Sequence, residues 1–410
     1  MQHKRVVVTG MGLRSPIGNS LGEFSASLRS GRSGIRIMHE WDEVAELRTR
    51  LGGVCEIGEE EAQIHRKYRR SMGRVAVLAT LAAKDALEQS GLAESAVASP
   101  ACGVSFGSTA GSTGAQVSYQ AHMFNTKSMK GVPASAYLQC MSHTCAANIA
   151  VFFHTRGPFI ASCTACVSGS QGVGFGYEAI RQGRADIMIS GGADEMHFMN
   201  AGIFDLMMAT SSGYNDRPDL SPRPFDAERD GLVVSEGAGC LVLEEYERAK
   251  ARGAEILAEI LGYWTNGSGV HLTQSDAASM EECMRAALKD AGVSAERVEH
   301  INAHATATDN GDEAEALASH RVFGDQVPTS ALKGQLGHTL GASGALETIA
   351  TIIMAREGFM AATRNLHRPD PKLAPLDHIR GEPRDAKFRI GINNNFAFGG
   401  INTSLVISLL

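Results

Sequence analysis

The chain has 410 residues, 43% hydrophobic and 20% charged, with 45 glycines against 12 prolines, which suits an α/β protein with two core units and excludes a largely disordered one. The formal charge of -7 gives no reason to expect nucleic acid or an anionic membrane as main partner, since both reward a basic surface. No run of about eighteen apolar residues lacks a charge and MQHKRVVVTGMG has no apolar leader core, so no membrane span and a cytoplasmic location are expected.

RVVVTG (5–10) is β-branched and ends in glycine, which predicts a buried strand. SMGRVAVLATLAAKDALEQSGL (71–92) repeats apolar residues at helical spacing and closes on Ser-Gly, which predicts a long helix. CGVSFGS (102–108) reads as a strand. FIASCTA, SGSQGVGFGYEAIRQGR and ADIMISGGAD then follow as strand, helix and strand, a βαβ unit that builds parallel sheet. GAGCLVLEEYERAKARG (237–253) passes from strand into a charged helix, and the strand-rich EILAEILGYWTNG (255–267) opens a second half. That half continues with a helix at 278–293, a strand entering a loop at 298–308 and a helix at 343–358. The halves, 1–250 and 251–410, share a rhythm of strands and helices that suggests duplication. Segments 38–53, 122–133 and 214–231 are the expected loops.

The eight cysteines are scattered among apolar and small residues, unlike the dense framework of a small secreted domain. Two of them stand three apart in ASCTACVSGSQG (161–172). A redox CxxC would need a partner electron carrier, and the sequence lacks the usual aromatic or proline context. Zinc would need further ligands, and no second CxxC or HxxxH supplies them. A third possibility puts Cys166 at a strand-to-helix turn, where free N–H groups and the helix dipole favour thiolate and the following small residues let substrate approach. Two packed thiols remain the alternative at this point, and a packed thiol is the expectation for Cys163. NAHATATDNGDEAE (302–315) adds His304 at the end of an apolar strand. SALKGQLGHTLGASGALE (330–347) adds Lys333 and His338 in a glycine-rich loop. A cysteine and two histidines on three strand-to-helix loops make a candidate nucleophilic site.

TACVSG, NAHATAT, LKGQLGHTLGASGALE and NNFAFGGINTSL occur in the order and spacing of the β-ketoacyl-acyl carrier protein synthases, and YNDRPDLSPRPFDAERDG resembles their middle segment. The resemblance spans nearly the whole chain. It implies a thiolase-like α/β fold: two related βαβ-rich halves in a five-layered αβαβα arrangement, the first carrying the nucleophile and the second the histidines. It further implies a decarboxylating acyltransferase with Cys166 as nucleophile, His304 and His338 facing the malonyl thioester, and backbone amides of Cys166 and Phe398 holding the oxyanion. Lys333 matches the family's lysine and Glu347 its carboxylate partner. Thr306 and Thr308 match positions on the pantetheine arm, Phe398 a gating aromatic, and Ala110 and Phe204 the acyl pocket. No permanent cofactor or metal is implied, because substrates ride on the phosphopantetheine of an acyl carrier protein. Ala305, Ala307, Ala397 and Asp309-Asn310 depart from the usual pattern and raise a secondary polyene or polyketide pathway as the alternative to fatty acid elongation.

IHRKYRRSMGR (64–74) gathers Arg66, Lys67, Arg69, Arg70 and Arg74 in an otherwise acidic chain. Such a run is usually a solvated face. The resemblance makes it a docking patch for an acidic carrier protein, joined by Lys127 and Lys130. It also implies a homodimer, with a heterodimer beside a chain-length partner as the alternative.

Overall fold

The computed structural model describes residues 3–410. The largest sheet has eleven strands: β1 (Val6–Arg14), β2 (Cys102–Gly107), β3 (Phe159–Ser162), β4 (Ile187–Asp194), β5 (Gly237–Glu245), β6 (Ala258–Gly267), β7 (His300–Asn302), β8 (Pro328–Ser330), β9 (Asp377–His378), β10 (Ile390–Ala397) and β11 (Ile401–Ser408). Their order is β9-β8-β7-β10-β11-β6-β1-β5-β4-β2-β3. Every residue of β1 and of β4 is buried, which is why these strands read as runs of apolar and small residues without alternation.

Setting aside the two-residue β9, both halves have one topology. From outer edge to centre, each places its third, second, fourth, fifth and first strand: β3-β2-β4-β5-β1 and β8-β7-β10-β11-β6. In each, the two outer pairings are parallel and the two inner ones antiparallel. The two first strands meet antiparallel through Val6–Val8 and Ala258–Ile260.

Helices Ser168–Arg181 and Ser343–Glu357 pack on each other and on strands of both halves. Residues 343–355 are all buried, so apart from Glu347 this helix is apolar or small around its whole circumference, as a central layer requires. Helices Arg74–Ser90 and Thr144–Phe153 cover the outer side of the first half, and Ala277–Ala291 and Asp309–Phe323 that of the second. The result is the five-layered αβαβα arrangement.

The helix expected at 71–92 runs from Arg74 to Ser90 and stops at Gly91, whose φ of 63° ends it in the left-handed conformation. The expected strand at 298–308 is short: only His300–Asn302 pair, and the chain then leaves the sheet towards the site. The expected loop at 122–133 begins inside a helix, Thr113–Thr126. That helix buries little beyond Thr113, so it carries no apolar stripe for a sequence pattern to reveal. Among the described residues, no helix is long and apolar enough to cross a membrane.

Candidate active site

Cys166 lies just past β3, in a single 3-10 turn (Ala165–Val167) that feeds helix Ser168–Arg181. Ala165 has φ 47°, a left-handed conformation that marks a sharp, strained turn. The small residues after it have a steric reason. A Cβ on Gly169 would lie 2.5 Å from the carbonyl oxygen of Gly341, so glycine lets the His338 loop sit on the nucleophile helix.

His338 Nε2 lies 2.9 Å from Cys166 Sγ. On the ring's far side, Nδ1 accepts the Leu340 N–H at 3.3 Å and lies 3.1 Å from Ser343 Oγ. A backbone N–H can only donate, so the proton of this imidazole belongs on Nε2, facing the sulfur. His304 is held the same way. Its Nδ1 lies 3.2 Å from Lys333 Nζ and 3.3 Å from Asn395 Nδ2, both donors, which again leaves Nε2–H towards the cavity. The two rings are 5.3 Å apart and nearly perpendicular. Burial first, then the Lys333 charge, holds both histidines well below the ordinary range, so both are neutral donors. The Cys166, His304 and His338 ligand atoms lie within 4.8 Å of one another. A resident metal fits poorly: the network places protons rather than lone pairs on the inward nitrogens, beside an ammonium.

Burial pushes the Cys166 thiol up to about 12, while the Lys333 charge and the backbone N–H groups of Cys166 and Phe398 pull it down. The resting sulfur is therefore a thiol, and negative charge arriving there meets two amides, an imidazole N–H and a nearby ammonium. Lys333, at the start of the short helix Lys333–Leu336, donates to Glu347 Oε1 at 2.5 Å, and both side chains are 1% exposed. Asn395 Nδ2 donates to Glu347 Oε2 at 2.6 Å.

One cavity is lined by Cys166, Phe204, His304, Thr306, Thr308, His338 and Phe398. The Phe398 ring is 5.7 Å from that of Phe204, which is 6.5 Å from the His338 ring. The Thr306 and Thr308 hydroxyls are 2.9 Å apart. Ala110 is not in this lining: it lies between β2 and helix Thr113–Thr126, its carbonyl accepting from Gln116 Nε2 at 2.6 Å. Cys163 is exposed rather than packed, its thiol donating to the Thr109 carbonyl at 3.0 Å. The strand edge that carries it faces outward, whereas Cys166 turns in beneath the loops.

Arg66, Lys67, Arg70, Lys127 and Lys130 are exposed and join no ion pair among the described residues. Arg69 pairs with Glu61. Arg74 corrects the sequence expectation: its Nε donates to Glu236 Oε2 at 2.8 Å and its Nη2 to the Cys55 carbonyl at 2.8 Å. Glu236 is fully buried and needs that counter-charge, so Arg74 serves the core.

The sequence did not single out Glu315, which accepts the backbone N–H groups of His304 and Ala305 at 2.7 and 2.6 Å. Nor did it flag Asp194, whose Oδ2 accepts the Gly341 N–H at 2.6 Å while Oδ1 accepts from Ser108 Oγ at 3.0 Å. Asp194 thereby ties the His338 loop to the first half. The polar Asn393–Asn395 run inside an otherwise apolar strand was a signal for Asn395, whose amide reaches His304 and Glu347, since buried amides need partners.

Comparison with known proteins agrees with this geometry. Residues 3–249 match the family "Beta-ketoacyl synthase, N-terminal domain" and residues 257–367 "Beta-ketoacyl synthase, C-terminal domain". The chain is 34% identical over 404 residues to 3-oxoacyl-(acyl-carrier-protein) synthase 1 of Haemophilus influenzae, covering 98% of each. It is similar to a crystal structure of a beta-ketoacyl synthase from Burkholderia phymatum, at 45% identity and TM-score 0.96 over 99% of this chain and all of that one. The ishigamide ketosynthase/chain length factor superimposes with TM-score 0.93 at 33% identity, covering both chains fully. The chain belongs to the beta-ketoacyl synthase family.

Proposed function

We propose that the chain is an elongating β-ketoacyl-acyl carrier protein synthase, with Cys166 as acyl acceptor and His304 and His338 as the decarboxylation pair. The observation that carries this is the pair of neutral imidazoles presenting Nε2–H beside one buried sulfur, 2.9 Å away in the case of His338. In the first half-reaction Cys166 attacks the thioester carbonyl of an acyl carrier substrate, the carrier sulfur leaves, and the proton of Cys166 ends on the released carrier thiol. In the second, the malonyl carboxylate departs as CO2 and the electron pair of the broken C–C bond becomes a thioester enolate. Two N–H donors in a dry cavity stabilise the developing oxygen charge, a contribution of about 10²–10³ in rate per donor. The enolate carbon attacks acyl-Cys166, the amides of Cys166 and Phe398 hold the tetrahedral oxyanion, and collapse expels the Cys166 thiolate, which takes up one proton from water to replace the one lost to the carrier thiol.

Thr306 and Thr308 hold the pantetheine arm, and Phe398 moves against Phe204 between the half-reactions. The substrates arrive on carrier phosphopantetheine, and these steps call for no resident cofactor. A cytoplasmic location goes with this reading. Exposed Phe159 on the unpaired edge strand β3, with exposed Tyr137, Leu138 and Val151, supports dimerisation, since a free strand edge and apolar side chains both call for cover. Arg66, Lys67, Arg70, Lys127 and Lys130 supply positive charge for an acidic carrier.

A second pathway reading, a ketosynthase of polyene or polyketide assembly working with a chain-length partner, is favoured by the likeness to the ishigamide ketosynthase/chain length factor together with Ala305, Ala307 and Ala397. Intact-protein mass spectrometry after incubation with saturated and polyunsaturated acyl-carrier thioesters tests both. Acylation of wild type and of Cys163→Ala but not of Cys166→Ala is expected, and the preferred chain separates the pathways. Equal labelling of Cys166→Ala would overturn the assignment.

A further inference from the structure

Three asparagines in a row, Asn393–Asn395, stand buried near the end of β10. Asn395 is the one that reaches the reacting groups. Its Oδ1 accepts from Ser170 Oγ at 2.5 Å and from Asn393 Nδ2 at 3.4 Å. Its Nδ2 donates to Glu347 Oε2 at 2.6 Å and faces His304 Nδ1 at 3.3 Å. Glu347, paired with Lys333, is a carboxylate and can only accept, so the amide nitrogen must face it and the amide oxygen must face Ser170. The orientation of the amide is thus fixed from both ends.

The groups that fix it come from separate parts of the fold. Ser170 lies one turn beyond Cys166 on helix Ser168–Arg181, and Glu347 lies on helix Ser343–Glu357. The two helices close on Asn395 because residue 344 is glycine: a Cβ there would lie 1.9 Å from Ser170 Oγ and 2.8 Å from Asn395 Oδ1. Asn393 is itself anchored, donating to the Gly344 carbonyl and to Thr348 Oγ1 at 3.0 Å each.

The way donors divide around Glu347 bears on His304. Each oxygen of this buried carboxylate takes one donor, Lys333 Nζ on Oε1 at 2.5 Å and Asn395 Nδ2 on Oε2. Lys333 Nζ also lies 3.2 Å from His304 Nδ1. With no donor on Oε2, the carboxylate would draw the ammonium towards itself and off the ring, because a buried charged oxygen without a partner is costly. Asn395 therefore acts on His304 in two ways, through its own N–H and by leaving a lysine N–H for the ring.

We propose that Asn395 is a positioning residue for decarboxylation: it satisfies Glu347 so that Lys333 stays on His304 Nδ1, and the imidazole keeps its Nε2–H directed into the cavity. The inference rests on the ketosynthase reading and deepens its second half-reaction.

Asn395→Asp replaces the amide NH2 by oxygen and keeps the size of the side chain. A carboxyl there holds at most one proton where the amide holds two, so it can serve Glu347 or His304 but not both, and an oxygen facing Nδ1 draws the ring proton to that side. Thioesters of N-acetylcysteamine read the half-reactions apart: malonyl for release of CO2, hexanoyl for acylation of Cys166 by mass spectrometry. Release of CO2 is expected to fall ~10-fold, short of the ~10²–10³ of a donor lost outright, because Lys333 remains beside the ring. Acylation of Cys166 should stay at the wild-type rate, which also reports an intact fold. NMR of isotope-labelled histidine nitrogens, with His304 identified by its missing signals in His304→Gln, should show the proton on Nε2 alone in wild type and shared between both nitrogens in Asn395→Asp. If a second carboxyl beside Glu347 prevents folding, the uncharged Asn395→Leu carries the same expectations. Unchanged release of CO2, an equal fall in both half-reactions, or a fall with wild-type ring signals would each overturn the role. Wild type that neither releases CO2 nor takes up an acyl group would overturn the ketosynthase reading itself, and the ring signals would still decide on Asn395.

Discussion

Lys333 Nζ stands between His304 Nδ1, 3.2 Å away, and Glu347 Oε1, 2.5 Å away. The contact fixes the His304 tautomer, and the ammonium charge helps hold the ring neutral. Replacing Lys333 by Met, with Glu347→Gln to avoid a stranded buried carboxylate, removes the charge and leaves Asn395 as the one remaining donor to His304 Nδ1. Release of CO2 from malonyl carrier protein should fall ~10²-fold, the scale of one misdirected donor. Acylation of Cys166, measured by mass spectrometry, should fall far less, because His338 and the two amides remain. Equal losses in both half-reactions would mean that the lysine serves the fold or the nucleophile and not the decarboxylation pair.

Arg74 and Glu236 form a pair in which the carboxylate is fully buried and the guanidinium about a third exposed. Arg74→Ala leaves Glu236 with the N–H groups of Cys55 and Met196 but without a counter-charge. A loss of about 3 kcal/mol in unfolding free energy is expected from breaking such a pair, measured by denaturant titration. KM for the carrier substrate should not move. The opposite result, a stable protein with a weakened carrier interaction, would return Arg74 to the docking patch.

The sequence carried the site further than it carried the fold. Cys166, His304 and Lys333 each sit where a strand passes into a helix, and His338 in the glycine-rich turn between helices Lys333–Leu336 and Ser343–Glu357; small residues and an apolar run announce these turns, so their positions were legible one by one. The contacts that orient them were not. Asp194 and Gly341 are 147 positions apart and are brought together only by folding one half onto the other, and no local pattern encodes such a pair. The same holds for Arg74: five basic residues within ten positions look alike in sequence, and only the burial of Glu236 separates the one that turns inward. Helix Thr113–Thr126 escaped because it lies on the surface with almost nothing buried, so its formation depends on capping by Ser112 and on neighbours rather than on an apolar period.

Ala307 is fully buried with φ 65°, a left-handed conformation, while its N–H donates to Asp312 and its carbonyl accepts from Gly231. The methyl group works against the backbone there. Ala307→Gly should stabilise the protein by about 1 kcal/mol by relieving that conformation, even after the extra freedom glycine gives the unfolded chain is subtracted. Ala397 has no positive φ, and the freedom of the Phe398 loop comes from Gly399 and Gly400 at 92° and 72°. Ala397→Gly should accordingly leave the melting temperature and the turnover rate close to wild type. A large gain in turnover would show that the alanine stiffens the gate.

His300 and His378 are held at about 3 and about 4 by burial, and His304 and His338 lie low for the same first reason. All four are neutral in the folded protein at pH 7 and remain so as pH falls, while the unfolded chain takes up protons near pH 6.5. The unfolded state therefore binds more protons below that value, and these groups make stability fall as pH is lowered. Asp194, Asp312 and Glu315, raised by burial to about 7, about 6 and about 8, act in the other direction, since the folded state holds their protons to higher pH than the unfolded state does. The net slope mixes both sets, so one residue must be isolated. His300 lies outside the cavity, its Nε2 3.0 Å from Ser330 Oγ. His300→Gln removes one buried imidazole, and the stability it loses between pH 7 and about 5.5 should be smaller than that of wild type by about 1 kcal/mol. Parallel curves for the two proteins would mean that His300 titrates alike in the folded and unfolded states.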